Sequence, residues 1–326
     1  MRPSIAHCIR LSAASAGLAV AGFAAHAQYP VKPIQLIVST APGAGTDLMS
    51  RTVSERLGPR LGTAIVVENR AAAAGLVAAQ SMKRAAPDGY TLMFTNDNLV
   101  LSIALGTNKD VNVLTDFQPV ILTASSDFFL VVSGDALAAK SAPDLVRLAK
   151  ENPGRLSYAS PGVGAPHHLG MELFKLQTGA DIVHVPYKGM GPAIPDLLEG
   201  RVQVTMTGFP AVASHMKTGK LRLLGTPSAR RSTEQPDVPT LREAGIPNVE
   251  IQGYNYMVAP LGTPAAVIAR LNSEVNEVLK MPQVQAELSK RGTTAAGGTP
   301  EQLAQKLRSE AEKWTRVVKA AGIKPE

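Results

Sequence analysis

Twice in 326 residues an aliphatic run breaks at a proline–glycine segment and passes straight into a helical pattern. The first junction reads Ile37-Val38-Ser39-Thr40-Ala41-Pro42-Gly43-Ala44-Gly45-Thr46-Asp47. The second reads Leu156-Ser157-Tyr158-Ala159-Ser160-Pro161-Gly162-Val163-Gly164-Ala165-Pro166-His167-His168-Leu169. A strand that turns through glycine into a helix commits the chain to β-α units, since the helix must cover the sheet before the next strand is laid down. Each junction also exposes the unpaired N–H groups and partial positive charge of a helix mouth. Two such mouths facing each other are expected to hold the ends of a small dicarboxylate, which points to capture of a solute rather than chemistry upon it.

The surrounding pattern is consistent with this. Strands are expected over 34–38, 64–68 and 90–95, with helices over 47–61 and 75–85 between them. Such apolar strands suit a parallel sheet covered on both faces, a Rossmann-like first lobe. Two apolar runs, 121–124 and 128–132, lead to a second lobe. There Ser141 caps a helix, and the β-α order repeats through strands 156–159, 182–185, 202–207 and 221–226 and helices 166–178, 191–198 and 211–218. A further extended run at 251–260 precedes helices 264–280, 282–291 and 300–321, each opening on proline. If this last block packs back on the first lobe, the lobes are 28–126 with 250–326, and 127–249, joined by a hinge of two chain crossings.

Arg2 and Arg10 flank an otherwise uncharged start, 11–25 carries no charge, and Ala25-His26-Ala27 fits a small-x-small cleavage site, so 1–27 reads as an export signal cut after Ala27. The apolar part is shorter than the roughly 20 residues a membrane-spanning helix needs. Cys8, the only cysteine, leaves with the signal. An exported chain would then have no disulfide, no cysteine nucleophile and no thiolate for a metal. Losing two arginines trims a formal net charge of +7 that is scattered, without basic runs or interleaved aromatics. Nucleic acid is a poor partner for such a surface, while an anion is a fitting one.

Several segments occur together in the order of a known family. They include Tyr29-Pro30-x-Lys32-Pro33-Ile34, Ala41-Pro42-Gly43-x-Gly45-Thr46-Asp47, Val67-Glu68-Asn69-Arg70, Ala86-Pro87-Asp88-Gly89-Tyr90-Thr91-Leu92 and Asp116-Phe117-x-Pro119-Val120. Tyr158-Ala159-Ser160-Pro161-Gly162-x-Gly164, His184-Val185-Pro186-Tyr187-Lys188-Gly189, Pro236-Asp237-Val238-Pro239-Thr240 and Ala259-Pro260-x-Gly262-Thr263-Pro264 follow. The chain resembles the Bug family, extracytoplasmic solute receptors of tripartite tricarboxylate transporters. The resemblance implies an α/β type II periplasmic binding-protein fold, two lobes closing on an organic anion, and delivery to membrane permease subunits. It implies a periplasmic monomer with no catalytic residue, cofactor or metal. Carried over by position, the ligand-binding residues are Thr40, Ala41, Gly43, Ala44, Gly45, Thr46 and Asp47 from the first junction, and Ser160, Gly162, Val163, Gly164 and His168 from the second. Departures from the family pattern at Thr40, Ala44, Thr207 and 254–257 change the pocket wall and favour a plain mono- or dicarboxylate over an amino acid.

Other readings compete at single residues. Gly43-x-Gly45-x-x-Leu48 with Glu68 partly imitates a dinucleotide fingerprint but lacks its third glycine. Asp47 fits helix capping as well as ligand contact. His168 and Glu172 share a helix face without a third metal ligand at a recognisable spacing. His184 and Lys188 suit bracing of the loop, and Trp314 suits packing. Ser160 lacks the Gly-x-Ser-x-Gly elbow of a hydrolase. The alternatives to a transport receptor are an exported enzyme using Asp47 and His168 as an acid–base pair, and a solute sensor for a signalling partner.

Overall fold

The computed structural model describes residues 29–324, so the expected signal and its cleavage site lie outside the described residues. The chain opens with β1 (Ile34–Val38), α1 (Gly45–Leu61), β2 (Ile65–Asn69), α2 (Leu76–Lys83), β3 (Thr91–Asn96) and α3 (Asn98–Leu105). A long strand, β4 (Phe117–Ser133), leads to α4 (Ala142–Glu151), β5 (Leu156–Ser160), α5 (Pro166–Thr178), β6 (Ile182–Pro186), α6 (Ala193–Leu198), β7 (Val204–Gly208), α7 (Ala213–Met216) and β8 (Leu221–Gly225). The return runs through β9 (Gln252–Pro260), α8 (Ala265–Leu279), α9 (Pro282–Ser289), β10 (Thr294–Ala295) and α10 (Pro300–Ala320).

The strands lie in the order β2-β1-β3-β9-β4-β7-β5-β6. β1 is parallel to β2 and β3, and β5 is parallel to β6 and β7, which is the expected β-α-β arrangement in each lobe. The middle is antiparallel, β9 running against β3 and β4, and β4 against β7. The two apolar runs expected at 121–124 and 128–132 are one strand of 17 residues, with Ser125-Ser126-Asp127 continuing it. Up to Asp127, β4 pairs with β9; from Phe128 it pairs with β7 and β8. One strand is thus shared by both lobes.

Alternation along the strands builds the first lobe. Ile34, Leu36, Val38 and Phe94 face α1 and α8, meeting Met49, Val53 and Leu271, while Ile37, Met93 and Tyr256 face α2, α3 and α10. Each fully buried side chain of this size contributes roughly 1.5–3 kcal/mol. α10 starts with a capping box, Thr299 accepting from the Gln302 amide and Gln302 accepting from the Thr299 amide. Its first half, Leu303, Leu307 and Ala311, packs in the first lobe, but Trp314, Val317 and Val318 pack with Leu173, Phe174 and Ile251 in the second. The sequence reading puts this whole helix on the first lobe; its last turns lie in the core of the other.

α3 has no counterpart in the sequence reading. Asn98-Leu99-Val100-Leu101-Ser102-Ile103-Ala104-Leu105 shows no polar stripe, since Leu99 and Val100 face the first-lobe core while Leu101 and Ala104 face the second. A helix apolar all round lacks the 3.6-residue period that reveals a surface helix. The helix expected over 211–218 is smaller than its pattern suggests, a 3-10 turn Phe209–Ala211 followed by the four residues of α7.

Candidate functional site

At the second junction β5 ends at Ser160, and Gly162 and Gly164 turn the chain with φ of 142° and 77°. Only glycine takes such angles without strain. Pro166 is the first residue of α5, where its missing N–H costs nothing. The third, His168, accepts the Gly164 amide on Nδ1 at 2.9 Å. Ser160 Oγ lies 2.7 Å from His184 Nε2 and accepts the Gly162 amide at 3.2 Å. Below the loop, the rings of His168 and His184 stack with centroids 4.0 Å apart, and His184 stacks on Tyr158 at 4.8 Å. Tyr158 donates to Glu172 at 2.6 Å, and Lys175 pairs with the same oxygen.

Burial holds His168 below its ordinary value, and burial with the neighbouring His168 ring pushes His184 down to about 4. Neutral rings are what the geometry requires, because a protonated Nδ1 on His168 has no lone pair for Gly164. His167, the second residue of α5, lies edge-on to Phe128 at 5.0 Å, with Nδ1 shut off from solvent and without a partner. Its burial pushes it down to about 4 as well. His184, expected to brace the loop, bonds Ser160 at its start, and His168, expected as a ligand residue, holds the loop at Gly164.

The first junction repeats the device with a charge. Asp47, third in α1, accepts the Gly43 amide at 2.8 Å, and Asn69 Nδ2 donates to Asp47 at 2.8 Å and to the Thr40 carbonyl at 2.9 Å. Arg51, one turn on, donates to both Asp47 oxygens at 3.1 Å. Burial acts to raise the Asp47 carboxyl, but the bonds from Arg51, Asn69 and Gly43 outweigh it and hold the group below the usual carboxylate range. The Asp47 carboxylate is therefore occupied within the loop. Thr46 accepts from Asn96 at 3.3 Å, whereas Thr40 Oγ1 is buried without a partner. Ala41, Gly43 and Gly45 are exposed.

A cavity of about 450 Å³ lies between the lobes. Pro161, Gly162, Val163, Gly164 and Ala165 form its second-lobe wall; Ala73, Ala74, Leu76 and one face of α3 with Leu99, Leu101 and Leu105 form the other. Among the described residues no charged side chain lines it. The approach is close: a β-carbon on Gly164 would stand 2.5 Å from Leu105 Cδ1. Of the expected ligand-binding positions, Gly162, Val163 and Gly164 line this cavity; Ser160 and His168 lie behind them as braces. Thr40, Ala41, Ala44, Gly45, Thr46 and the rest of the first junction do not line it. That loop adjoins it through Ser39: a β-carbon on Gly75, in the turn bearing Ala73 and Ala74, would stand 3.1 Å from Ser39 Cβ and 3.7 Å from Leu99 Cδ2 on the wall. The 73–76 turn and α3 were not expected in the site, although the run Ala71 to Ala74 before Gly75 marks an unusual loop. Among the described residues no His, Cys, Asp and Glu cluster could hold a metal ion.

Two α/β lobes sharing a strand and facing each other across an uncharged cavity at a helix mouth define a periplasmic solute-binding protein. The chain belongs to the tripartite tricarboxylate transporter receptor family, TctC, whose family model matches residues 49–323. It is 36% identical over 312 residues to protein BugT of Bordetella pertussis, covering 94% of this chain and 95% of that one. Among solved structures it is similar to Rhodopseudomonas palustris Rpa4515 with adipate, with 32% identity, a TM-score of 0.75, and 91% of this chain and 100% of that one covered. It is also similar to MatC of the same organism with bound malate, with 28% identity, a TM-score of 0.72 and coverage of 89% and 100%.

Proposed function

We propose that the protein is an exported receptor that takes a small organic carboxylate into the cavity between its lobes and presents it to the membrane subunits of a tripartite tricarboxylate transporter. The observation that carries this is the meeting of 161–165, at the mouth of α5, with the 73–76 turn and α3 of the opposite lobe. A solute lying there touches both halves at once, and a ligand that contacts both stabilises their closed arrangement. The α5 mouth supplies the amides of His167 and His168 for a carboxylate. Thr40, Asp47 and their neighbours shape the adjoining loop, with the exposed first turn of α1 a second place for an anionic group. Lobe boundaries at 28–126 with 250–326, and 127–249, fit the shared strand, with α10 bridging both. Export to the periplasm after cleavage at Ala27 suits the family, and among the described residues no helix is long and apolar enough to cross a membrane.

The acid–base alternative loses support from the bonds above, because Asp47 and His168 each serve as the acceptor that holds a loop. The deciding experiment incubates the mature chain with a panel of carboxylates including adipate and malate. A rise in Tm by mass action, with the acid recovered chemically unchanged, is expected. Conversion of the bound acid, or silence toward the whole panel, overturns the reading.

A further inference from the structure

Ala73 and Ala74 are consecutive alanines with φ of 45° and 53°. This left-handed backbone strains any residue with a β-carbon and is free of strain for glycine. Asn248 is the other non-glycine residue with positive φ among the described residues, and asparagine supports that conformation through local hydrogen bonds. The alanines have no such help. Both are exposed, so their methyl groups gain nothing from the core. The turn they form, closed by the Gly75 amide on the Ala72 carbonyl at 2.9 Å, needs no methyl. Yet both line the cavity that 161–165 closes from the other lobe. Strain that no packing offsets is retained where function uses it.

We propose that the methyl groups of Ala73 and Ala74 are the size gauge of the solute, touching its apolar chain and fixing the longest carboxylate the closed cavity admits. This rests on the reading of the cavity as a carboxylate site. Leu76, Leu99, Leu105 and Val163 extend this apolar surface, while Asn98, Ser102, Thr107 and Asn108 form the polar part of the wall, so an apolar chain of the solute lies on the side of the alanines. Removing a methyl from each alanine enlarges the space at the one place where the backbone gains from losing it.

The test compares the unaltered mature protein with Ala73→Gly, Ala74→Gly and the double variant. Calorimetric titration uses two homologous series, dicarboxylates from succinate to suberate and phenyl-substituted acids from benzoate to phenylbutyrate. Relief of strain is expected to raise Tm by about 2 °C or more per replacement. The affinity for the acid one methylene longer than the best ligand, relative to that ligand, is expected to rise about tenfold. If the unaltered protein binds neither series, the carboxylate reading falls, and the size gauge with it. If binding is intact and all four proteins prefer the same length, only the size gauge falls. A Tm unchanged or lowered by glycine removes the strain on which it stands.

Discussion

Gly164 donates its amide to Nδ1 of His168 at 2.9 Å, the same four-residue reach by which Gly43 donates to Asp47 at 2.8 Å. In both junctions the third residue of the helix ties down the glycine just before it. Those two amides are spent inside their loops. The first-turn amides without a helical partner are the next ones along, Gly45 to Asp47 in α1 and His167 and His168 in α5, since the helical bonds begin at Leu48 and Leu169.

Replacing His168→Leu keeps much of the volume and removes the acceptor. The buried Gly164 amide is then unpaired, a loss of about 1–3 kcal/mol. Urea unfolding is expected to show that loss, together with weakened carboxylate binding in calorimetric titration. Undiminished stability shows that the bond to Gly164 is dispensable.

Asp47→Ala strips an acceptor from Gly43, Asn69 and Arg51 together. We expect about 2–3 kcal/mol of lost stability, in keeping with hydrogen bonds to a charged group. A residue acting only on the ligand gives the opposite result, with stability kept and affinity lost, and the two measurements separate the cases.

Gly164→Ala adds a methyl at a φ of 77° and sets it 2.5 Å from Leu105 Cδ1. The backbone term alone is about 1–2 kcal/mol. Combining it with Leu105→Ala is expected to recover the steric part but not the backbone part, which a double-mutant cycle resolves. Strict additivity of the two substitutions removes the contact between the lobes from the explanation.

Acid is expected to weaken the fold between pH 6.5 and 4. Burial lowers His167 and His184 from 6.5 to about 4, so over this window the unfolded chain binds two protons that the native chain refuses. Asp97 opposes them: burial, reinforced by Glu310, raises it from 3.8 to about 7, and the native chain keeps a proton the unfolded chain has released. These three groups balance at one proton in favour of unfolding, a slope from them of about 1.4 kcal/mol per pH unit, reduced where solvent reaches His184. His168, lowered as well, acts in the same sense. Asp97→Asn removes the opposing group and is expected to steepen the fall of Tm with pH; a flat profile in the unaltered protein refutes this balance.

The elements read most easily from sequence are those with a clear apolar run or period bounded by caps, proline or glycine. β1, β5, α4 with Ser141 at its cap and α10 with Pro300 at its start announce themselves by period and punctuation. α3 does not, because both lobes bury it, and neither does the continuity of β4, because Ser125-Ser126-Asp127 resembles a turn until β9 pairs with it. Within the site, glycines marked the loop at 161–165, where backbone shape is the signal. The opposite wall is hidden because its alanines, leucines, asparagines, serine and threonine form no recognisable motif, and only φ reveals that Ala73 and Ala74 are unusual. Asp47 shows a different limit: its motif marks a functional loop, but only the bonds to Gly43, Arg51 and Asn69 show that its carboxylate faces inward to that loop.

α10 also constrains how the molecule moves. A helix whose leading turns are sunk in one half and whose Trp314 is sunk in the other behaves as a rod fixed at both ends. A wide gape between the halves would draw one end of α10 out of its core, whereas a turn of one half about the helix axis would leave both Leu303 and Trp314 seated.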